Sequence, residues 1–310
     1  MRNIFVDEVT KIAREDERVV FLMSECGFSV TERFAEEFPD RYYNVGIAEQ
    51  SLVGTAAGVA LRGLRPVAYN MAMFLTMRAY EQIRVDVAYQ NLPVILAGVG
   101  PGIGYGAAGT THHAIEDIAI MRVLPNMTIV FPAHETDARA VTRQAFELGK
   151  PIYIGLCRDP RNFVVPYAVG DFKIGKAIKM NSGSDAALFT FGSMLPVAMD
   201  AVAMLAEKGV SLRVYNMHTM KPFDTAAIDE AVNECGMIFS LEEANIIGGL
   251  GGAMSEYLAE NRPCRFKRLG IGDKYPERMG DYHWLLKYYG IDAAGVAESV
   301  LRVLDTKVSI

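Results

Sequence analysis

Short apolar runs alternate with helix-like stretches along most of the chain. In the first half, runs typical of buried strands occupy residues 18–23, 41–45, 65–71 and 92–99. The same alternation returns in the second half, with strand-like runs at 186–192, 211–217 and 237–241. Because strands that alternate with helices build parallel sheets covered on both faces, we expect an α/β protein with two doubly wound domains.

A polar, turn-rich stretch separates the two halves. Residues 166–184 contain Pro, Gly, Asn and Ser without a long apolar period, which is typical of a domain boundary. We therefore predict a first domain over residues 1–165, a linker over 166–184 and a second domain over 185–310.

Composition narrows the class of protein. The chain has 310 residues, of which 51% are hydrophobic and 22% charged, so a large core is expected. A net charge of -6 without a Lys/Arg cluster argues against nucleic-acid binding. No uncharged apolar run approaches the roughly 18 residues of a membrane span, and the four cysteines are widely spaced. These features predict a reduced, cytoplasmic protein that binds no membrane.

One acid stands at the start of an apolar helix. Residues 43–50 read Tyr-Asn-Val-Gly-Ile-Ala-Glu-Gln, and small and apolar residues follow Glu49 as far as Leu61. We expect this helix to be buried on most sides. A carboxyl group in such a place resists ionisation unless a partner shares its proton. Taken alone, Glu49 fits a structural acid at a helix cap better than a catalytic one.

Two further segments carry candidate chemistry. Phe74, Met77 and Tyr80 recur every three residues, which predicts one shared face at the start of a helix; ordinary core packing is the alternative. A glycine-rich loop over residues 98–117 contains Thr-Thr-His-His at 110–113. Its spacing does not fit a dinucleotide fingerprint, and two adjacent histidines without other ligands do not predict a metal site. A helix cap or a solvated surface pair would also explain them.

Together these segments resemble a known superfamily. The run from Val45, Val-Gly-Ile-Ala-Glu-Gln-Ser-Leu-Val-Gly-Thr-Ala-Ala-Gly, is similar to the glutamate motif of the transketolase and deoxyxylulose-phosphate synthase superfamily. The aromatic stripe and the Gly109-Thr-Thr-His-His segment resemble its pyrimidine pocket and its histidine loop. Residues 217–224 and 242–252 resemble its C-terminal domain, where His218 and Glu243 are structural. The likeness covers roughly residues 18–300.

The resemblance implies a thiamine diphosphate enzyme that transfers a two-carbon ketol unit from a ketose to an aldose. It implies that the catalytic residues are Glu49 and His112. Glu49 would bond to the cofactor's aminopyrimidine, and His112 would contact the substrate. The cofactor-binding residues would be Glu49, Ile47, Phe74, Met77 and Tyr80. The substrate-binding residues would be Ser29, His112, His113 and Arg158.

Some positions depart from the family pattern. Gly100 and Pro101 stand where relatives place a basic phosphate ligand, and Ala108 replaces an acid that reads a substrate hydroxyl. Met77 stands where many relatives carry an aromatic residue. Arg158 is then the main predicted contact for an anionic substrate group. The identity of the sugar substrate stays open at this point. Its phosphate could lie at a different distance from the reacting carbon, or the sugar could be sulfonated or of unusual length.

The resemblance also implies a partner. The Gly-Asp-Gly motif and the distant Asn that hold magnesium and the diphosphate in complete transketolases are absent from the sequence; its Gly272-Asp273 pair is followed by Lys. We therefore expect no metal ligand in this chain, and a separate N-terminal transketolase subunit that holds Mg²⁺ or Ca²⁺ in a heterotetramer of two plus two. The leading interpretation is the C-terminal subunit of a split transketolase.

Two groups of alternatives stay open, one enzymatic and one not. The chain could belong to a deoxyxylulose-phosphate-synthase-like enzyme or be a 2-oxoacid dehydrogenase E1 beta-type subunit. It could also be a binding subunit without catalysis, or a nucleotide-binding module.

Overall fold

Two β-sheets organise the chain in the computed structural model, which describes residues 1–158, 163–275 and 277–305. The first half consists of α1 (Arg2–Glu15), β1 (Val19–Met23), α2 (Glu32–Glu37), β2 (Tyr42–Asn44), α3 (Glu49–Leu61), β3 (Arg65–Met71), α4 (Tyr80–Gln82), β4 (Ile95–Val99), α5 (Asp117–Arg122), β5 (Thr128–Val130), α6 (Glu135–Leu148) and β6 (Ile152–Leu156). Every residue of β1, β4 and β6 is buried, as expected for strands covered on both faces.

The second half repeats the alternation. It consists of β7 (Ile178–Lys179), β8 (Ala186–Thr190), α7 (Met194–Ala206), β9 (Leu212–Asn216), β10 (Thr219–Lys221), α8 (Thr225–Glu234), β11 (Ile238–Asn245), α9 (Leu250–Asn261), β12 (Phe266–Ile271), α10 (Tyr282–Tyr288) and α11 (Ala293–Asp305). The first sheet has the order β10-β5-β6-β4-β3-β1-β2 and the second β12-β11-β8-β9-β7. All pairs are parallel except β10 with β5 and β7 with β9. The predicted α/β architecture is confirmed.

Two short strands were not predicted. β10 comes from the second half of the chain but pairs with β5 at the edge of the first sheet, and the Phe131 amide bonds to the His218 carbonyl at 2.8 Å. β7 lies within residues 166–184 and pairs with β9. Two or three residues carry no readable period, so their pairing is decided by the tertiary fold. The division at 166–184 stays a prediction.

The segment after β3 is not the ordinary helix that the sequence predicts. Phe74–Arg78 and Ile83–Tyr89 are π-helical, on either side of α4. The hydroxyl of Thr76 donates to the Ala72 carbonyl at 2.8 Å, a local bond that competes with regular helix geometry. Because a π turn is wider than an α turn, residues three apart do not line up as expected. The single face predicted for the aromatic stripe was therefore wrong.

Buried acids lie where the two halves of the chain meet. The Ser193 hydroxyl donates to Glu243, near the end of β11. Gly102 from the loop after β4 packs against this acid so closely that a Cβ there would lie 2.4 Å from Glu243 Cγ. Burial raises the pKa of Glu243 to about 7. Burial also raises the pKa of Glu242 and of Asp117 to about 7.

These acids make stability depend on pH. Their pKa values are raised in the folded chain, so between their ordinary values and about 7 the folded state binds more protons than the unfolded state. The free energy of unfolding should therefore fall as the pH rises through this window. The free energy of unfolding of the Glu243→Gln variant should fall less over this window than that of the wild type. At about pH 8 the variant should therefore be more stable than the wild type by on the order of 1–3 kcal/mol.

Urea unfolding at several pH values measures this difference. Glu207→Gln, at an exposed residue just after α7, is the control and should follow the wild type. An equal pH slope for Glu243→Gln and the wild type would contradict the role given to Glu243.

Candidate active site

Glu49 is the first residue of α3, as the sequence predicts, and it is buried with 6% of its surface exposed. Leu52, Val53 and Ala56 on the inner face of α3 pack into the core and fix the direction of the helix. The outer face is open at Ser51, Thr55, Gly58 and Leu61. The expectation that α3 is buried on most sides was therefore wrong for this chain by itself.

Two donors that the sequence does not predict hold the Glu49 carboxylate. Asn70 Nδ2, near the end of β3, and Arg78 Nη1, from the π-helical segment, each lie 3.1 Å from Glu49 Oε1. Asn70 is itself fixed, because its Oδ1 accepts the Met71 amide at 2.7 Å. A polar residue in an apolar strand is a usable signal for Asn70. Only the fold shows that Arg78 reaches Glu49.

Phe74 connects this acid to the histidine loop. The guanidinium carbon of Arg78 lies 3.8 Å from the Phe74 ring centroid. The rings of Phe74 and His112 also meet edge to face, with centroids 5.3 Å apart. The Thr111 hydroxyl bonds to His112 Nδ1 at 3.0 Å. The structure thus places Glu49 and His112, which are 63 residues apart by their numbers, in one contact series.

The series continues from His112 into a cationic pocket. Tyr105 has its ring centroid 6.3 Å from that of His112, and the guanidinium carbon of Arg158 lies 4.5 Å from the Tyr105 ring. Tyr105 and Arg158 line a cavity of about 220 Å³ together with Arg2, Glu25 and Phe28. Burial raises the pKa of Tyr105, and the charges of Arg158 and Arg2 oppose that rise. Arg2, at the start of α1, is a further functional candidate that the sequence does not predict.

The other predicted site residues are spread around this series. Ile47 is 77% exposed two residues before the acid, and Met77 is 37% exposed. The Tyr80 hydroxyl donates to the Ile120 carbonyl at 2.8 Å. Ser29 is exposed, and its amide donates to Glu32 at 2.6 Å. His113 points into the protein, and burial lowers its pKa.

Two kinds of feature are absent from the described residues. No three His, Cys, Asp or Glu side chains come together there as a metal site. No helix in the same residues is long and apolar enough to cross a membrane.

Comparison with protein families decides the assignment. The family model for the transketolase pyrimidine-binding domain matches residues 1–160, and that for the transketolase C-terminal domain matches residues 175–296. The chain belongs to the transketolase family. This confirms the resemblance drawn from the glutamate motif and the histidine loop, and the family implies thiamine diphosphate as the cofactor.

Individual transketolases are similar over nearly the whole chain. A subunit of the apulose-4-phosphate transketolase of Actinobacillus succinogenes is 40% identical over 274 residues, which are 87% of each chain. The 6-deoxy-6-sulfo-D-fructose transketolase subunit SqwH of Clostridium sp. is 33% identical over 308 residues, 99% of this chain and 95% of that one. A solved split gene transketolase, an inactive beta4 tetramer, is 34% identical with a TM-score of 0.90, covering 99% of this chain and 98% of its own.

Proposed function

We propose that this chain is the C-terminal subunit of a split transketolase that moves a two-carbon ketol unit from an anionic ketose to an aldose. The observation that carries this proposal is the contact series from the buried Glu49 through Arg78, Phe74 and His112 to the arginine pocket. It joins a candidate proton-sharing acid, a candidate substrate histidine and an anion-binding surface. The names of the two relatives, each a transketolase subunit, support it.

The residues around Glu49 fit the aminopyrimidine of thiamine diphosphate. When bound, this cofactor supplies a nucleophilic carbon that adds to a carbonyl. It also accepts the electron pair of the adjacent C–C bond as that bond breaks. Glu49 would share a proton with a ring nitrogen, and Phe74 and Ile47 would hold the ring and exclude water. Apolar surroundings have a low dielectric constant, which strengthens the electrostatic interaction between the acid and the ring nitrogen. The roles of Met77 and Tyr80 are part of the same proposal.

His112 would act on the substrate. The Thr111 hydroxyl occupies Nδ1, so Nε2 is the ring nitrogen that would meet a substrate oxygen. A positioned imidazole at this atom would stabilise or protonate an oxygen that gains charge during C–C cleavage. His113 and Ser29 are proposed as further substrate contacts.

Arg158 and Arg2 would bind the charged end of the sugar. Their guanidinium groups line one cavity, and forked donors of this kind match a phosphate or a sulfonate. One relative is named for a sugar phosphate and the other for a sulfo sugar, and both groups are anionic. This supports an anionic substrate.

A partner subunit would complete the site. Tyr43, Ile47 and Leu61 are large apolar side chains exposed around the start and end of α3, so the acid lies beside a surface that suits another protein. We propose that this surface receives a separate N-terminal subunit, which holds the diphosphate with Mg²⁺ or Ca²⁺ in a heterotetramer of two plus two. The four cysteines are free, which suits the reduced cytoplasm that we propose.

Reconstitution tests the proposal. The chain should bind thiamine diphosphate and convert ketose donors only when mixed with its partner subunit and a divalent cation. Pyruvate as the preferred donor would favour a deoxyxylulose-phosphate-synthase-like or 2-oxoacid dehydrogenase reaction. Turnover by the isolated chain would contradict the shared site.

The Glu49→Gln variant should lose turnover almost completely, because an amide cannot share a proton with the cofactor ring. Its fold should be kept, since the side chain has the same size and keeps an oxygen for Asn70. Steady-state rates and circular dichroism measure the two effects. Glu81→Gln, at an exposed residue that pairs with Arg84, is the control. Normal turnover of Glu49→Gln would remove this acid from the mechanism.

The His112→Ala variant should lower kcat by about 10²-fold or more, which is the scale for a positioned acid-base or oxyanion group. Cofactor affinity should change little, because the described contacts link His112 to Glu49 only through Phe74 and Arg78. His283→Ala, on the exposed side of α10, is the matched control. A decrease in kcat of less than twofold would contradict the proposed contact of His112 with the substrate.

The Arg2→Met and Arg158→Met variants should each raise KM for an anionic ketose by roughly 10- to 100-fold, the range for one charge-assisted hydrogen bond. kcat should change much less, because neither side chain lies beside Glu49. With an uncharged ketose the variants and the wild type should have similar KM values. Arg33→Met, at an exposed arginine that pairs with Asp7, is the control. Equal KM increases for charged and uncharged donors would contradict anion binding.

A further inference from the structure

Arg78 holds the acid that the proposed function needs. Its Nη1 donates to Glu49 Oε1 at 3.1 Å, and Asn70 donates to the same oxygen. The Glu49 side chain is 7% exposed, so the guanidinium is the charge that balances a buried carboxylate. The Cys26 thiol also lies within electrostatic range of Glu49, and burial raises its pKa to about 12. Cys26 is therefore neutral and does not compete with Arg78.

This arrangement conflicts with a cofactor-bound state. To bond to a ring nitrogen, the Glu49 carboxyl must carry or share a proton and turn an oxygen toward the ring. A guanidinium that donates to the carboxylate favours the charged form and opposes that proton. Arg78 and the cofactor ring therefore compete for Glu49.

The surroundings of Arg78 allow it to leave. Its side chain is 49% exposed, although its partner is buried. The residue ends a π-helical turn, a geometry that often marks functional sites. The contact of its guanidinium with the Phe74 ring is weak at exposed positions. Water can solvate the Arg78 guanidinium in place of the Glu49 carboxylate and the Phe74 ring. The buried Glu49 carboxylate, in contrast, needs another hydrogen-bond donor when Arg78 leaves.

We propose that Arg78 is a positioning residue that holds the Glu49 side chain in place in the cofactor-free chain and is displaced when thiamine diphosphate binds. In this exchange the Arg78–Glu49 hydrogen bond breaks, one proton moves from solvent to the Glu49 carboxylate, and a hydrogen bond forms between the carboxyl and the cofactor ring. Cofactor binding is thus coupled to proton uptake. This inference rests on the proposed function for the release step, and on geometry alone for the holding step.

The holding step is tested on the full chain without cofactor. Arg78→Met should lower the unfolding temperature more at about pH 8 than at about pH 5, because a buried carboxylate without a counter-charge destabilises the fold in its charged form, which higher pH favours. In a Glu49→Gln background, the same substitution should have an equally small effect at both pH values. Arg84→Met, on the same segment but paired with Glu81, should show no such dependence. An effect of Arg78→Met that is independent of pH would overturn the holding step.

The release step is tested by titrating thiamine diphosphate with Mg²⁺ into the reconstituted complex, in buffers of different ionisation enthalpy. The wild type should take up about one proton per site near pH 8, and its affinity should fall by about tenfold per pH unit above that. Arg78→Met should bind roughly tenfold more tightly at this pH, since the competing donor is gone. Arg78→Lys should return the affinity toward that of the wild type.

The outcomes separate the two proposals. Affinity that is unchanged or weaker in Arg78→Met would overturn the role of Arg78 but leave the proposed function intact. A complex that binds no thiamine diphosphate would overturn the proposed function and the release step together. Proton uptake that persists in Glu49→Gln would place the proton on another group and overturn the release step.

Discussion

The structure around the site depends on one buried carboxylate. Glu49 lies at the first turn of α3, where the core side chains of that helix fix its direction and leave the acid little freedom. A charge in such a place needs donors, and they come from elements far apart in the sequence: Asn70 from β3 and Arg78 from the π-helical segment. The irregular segment is thus tied to the position of the acid.

The contact between the two halves of the chain fixes the other side of the site. The loop after β4 turns at Gly102, which has a φ of 63° and lies against Glu243, so both its conformation and the space favour glycine. Gly102 and Ala114 then exchange backbone hydrogen bonds at 3.0 and 2.7 Å, which closes the base of the loop that carries His112. Acids and glycines that resemble structural signatures in the sequence therefore act on the site, by holding the histidine loop.

The features that could be predicted from the sequence are those that depend on hydrophobic periodicity and on local motifs. The α/β alternation, the start of α3 at Glu49 and the position of the histidine loop were all predicted, because each depends on neighbours in the chain. The π-helical turns, the pairing of β10 with β5 and the contacts of Arg2 and Arg78 were not. A π turn has no distinct hydrophobic period, and the two arginines look like ordinary surface charges until folding brings their partners within reach.

The proposed division of the active site between two subunits poses a physical problem for each of them. On that proposal, the subunit that carries Glu49 exists for some time without the cofactor, with this acid 6% exposed near exposed apolar side chains such as Ile47. If that carboxylate were unpaired, its desolvation would weaken the folding of α3, the element on which the site is built. Arg78 balances this charge, and because its side chain is 49% exposed, exchanging its contacts for water costs little. The ion pair of Glu49 with Arg78 is therefore better understood as a property of the unassembled half-site than as part of the assembled one.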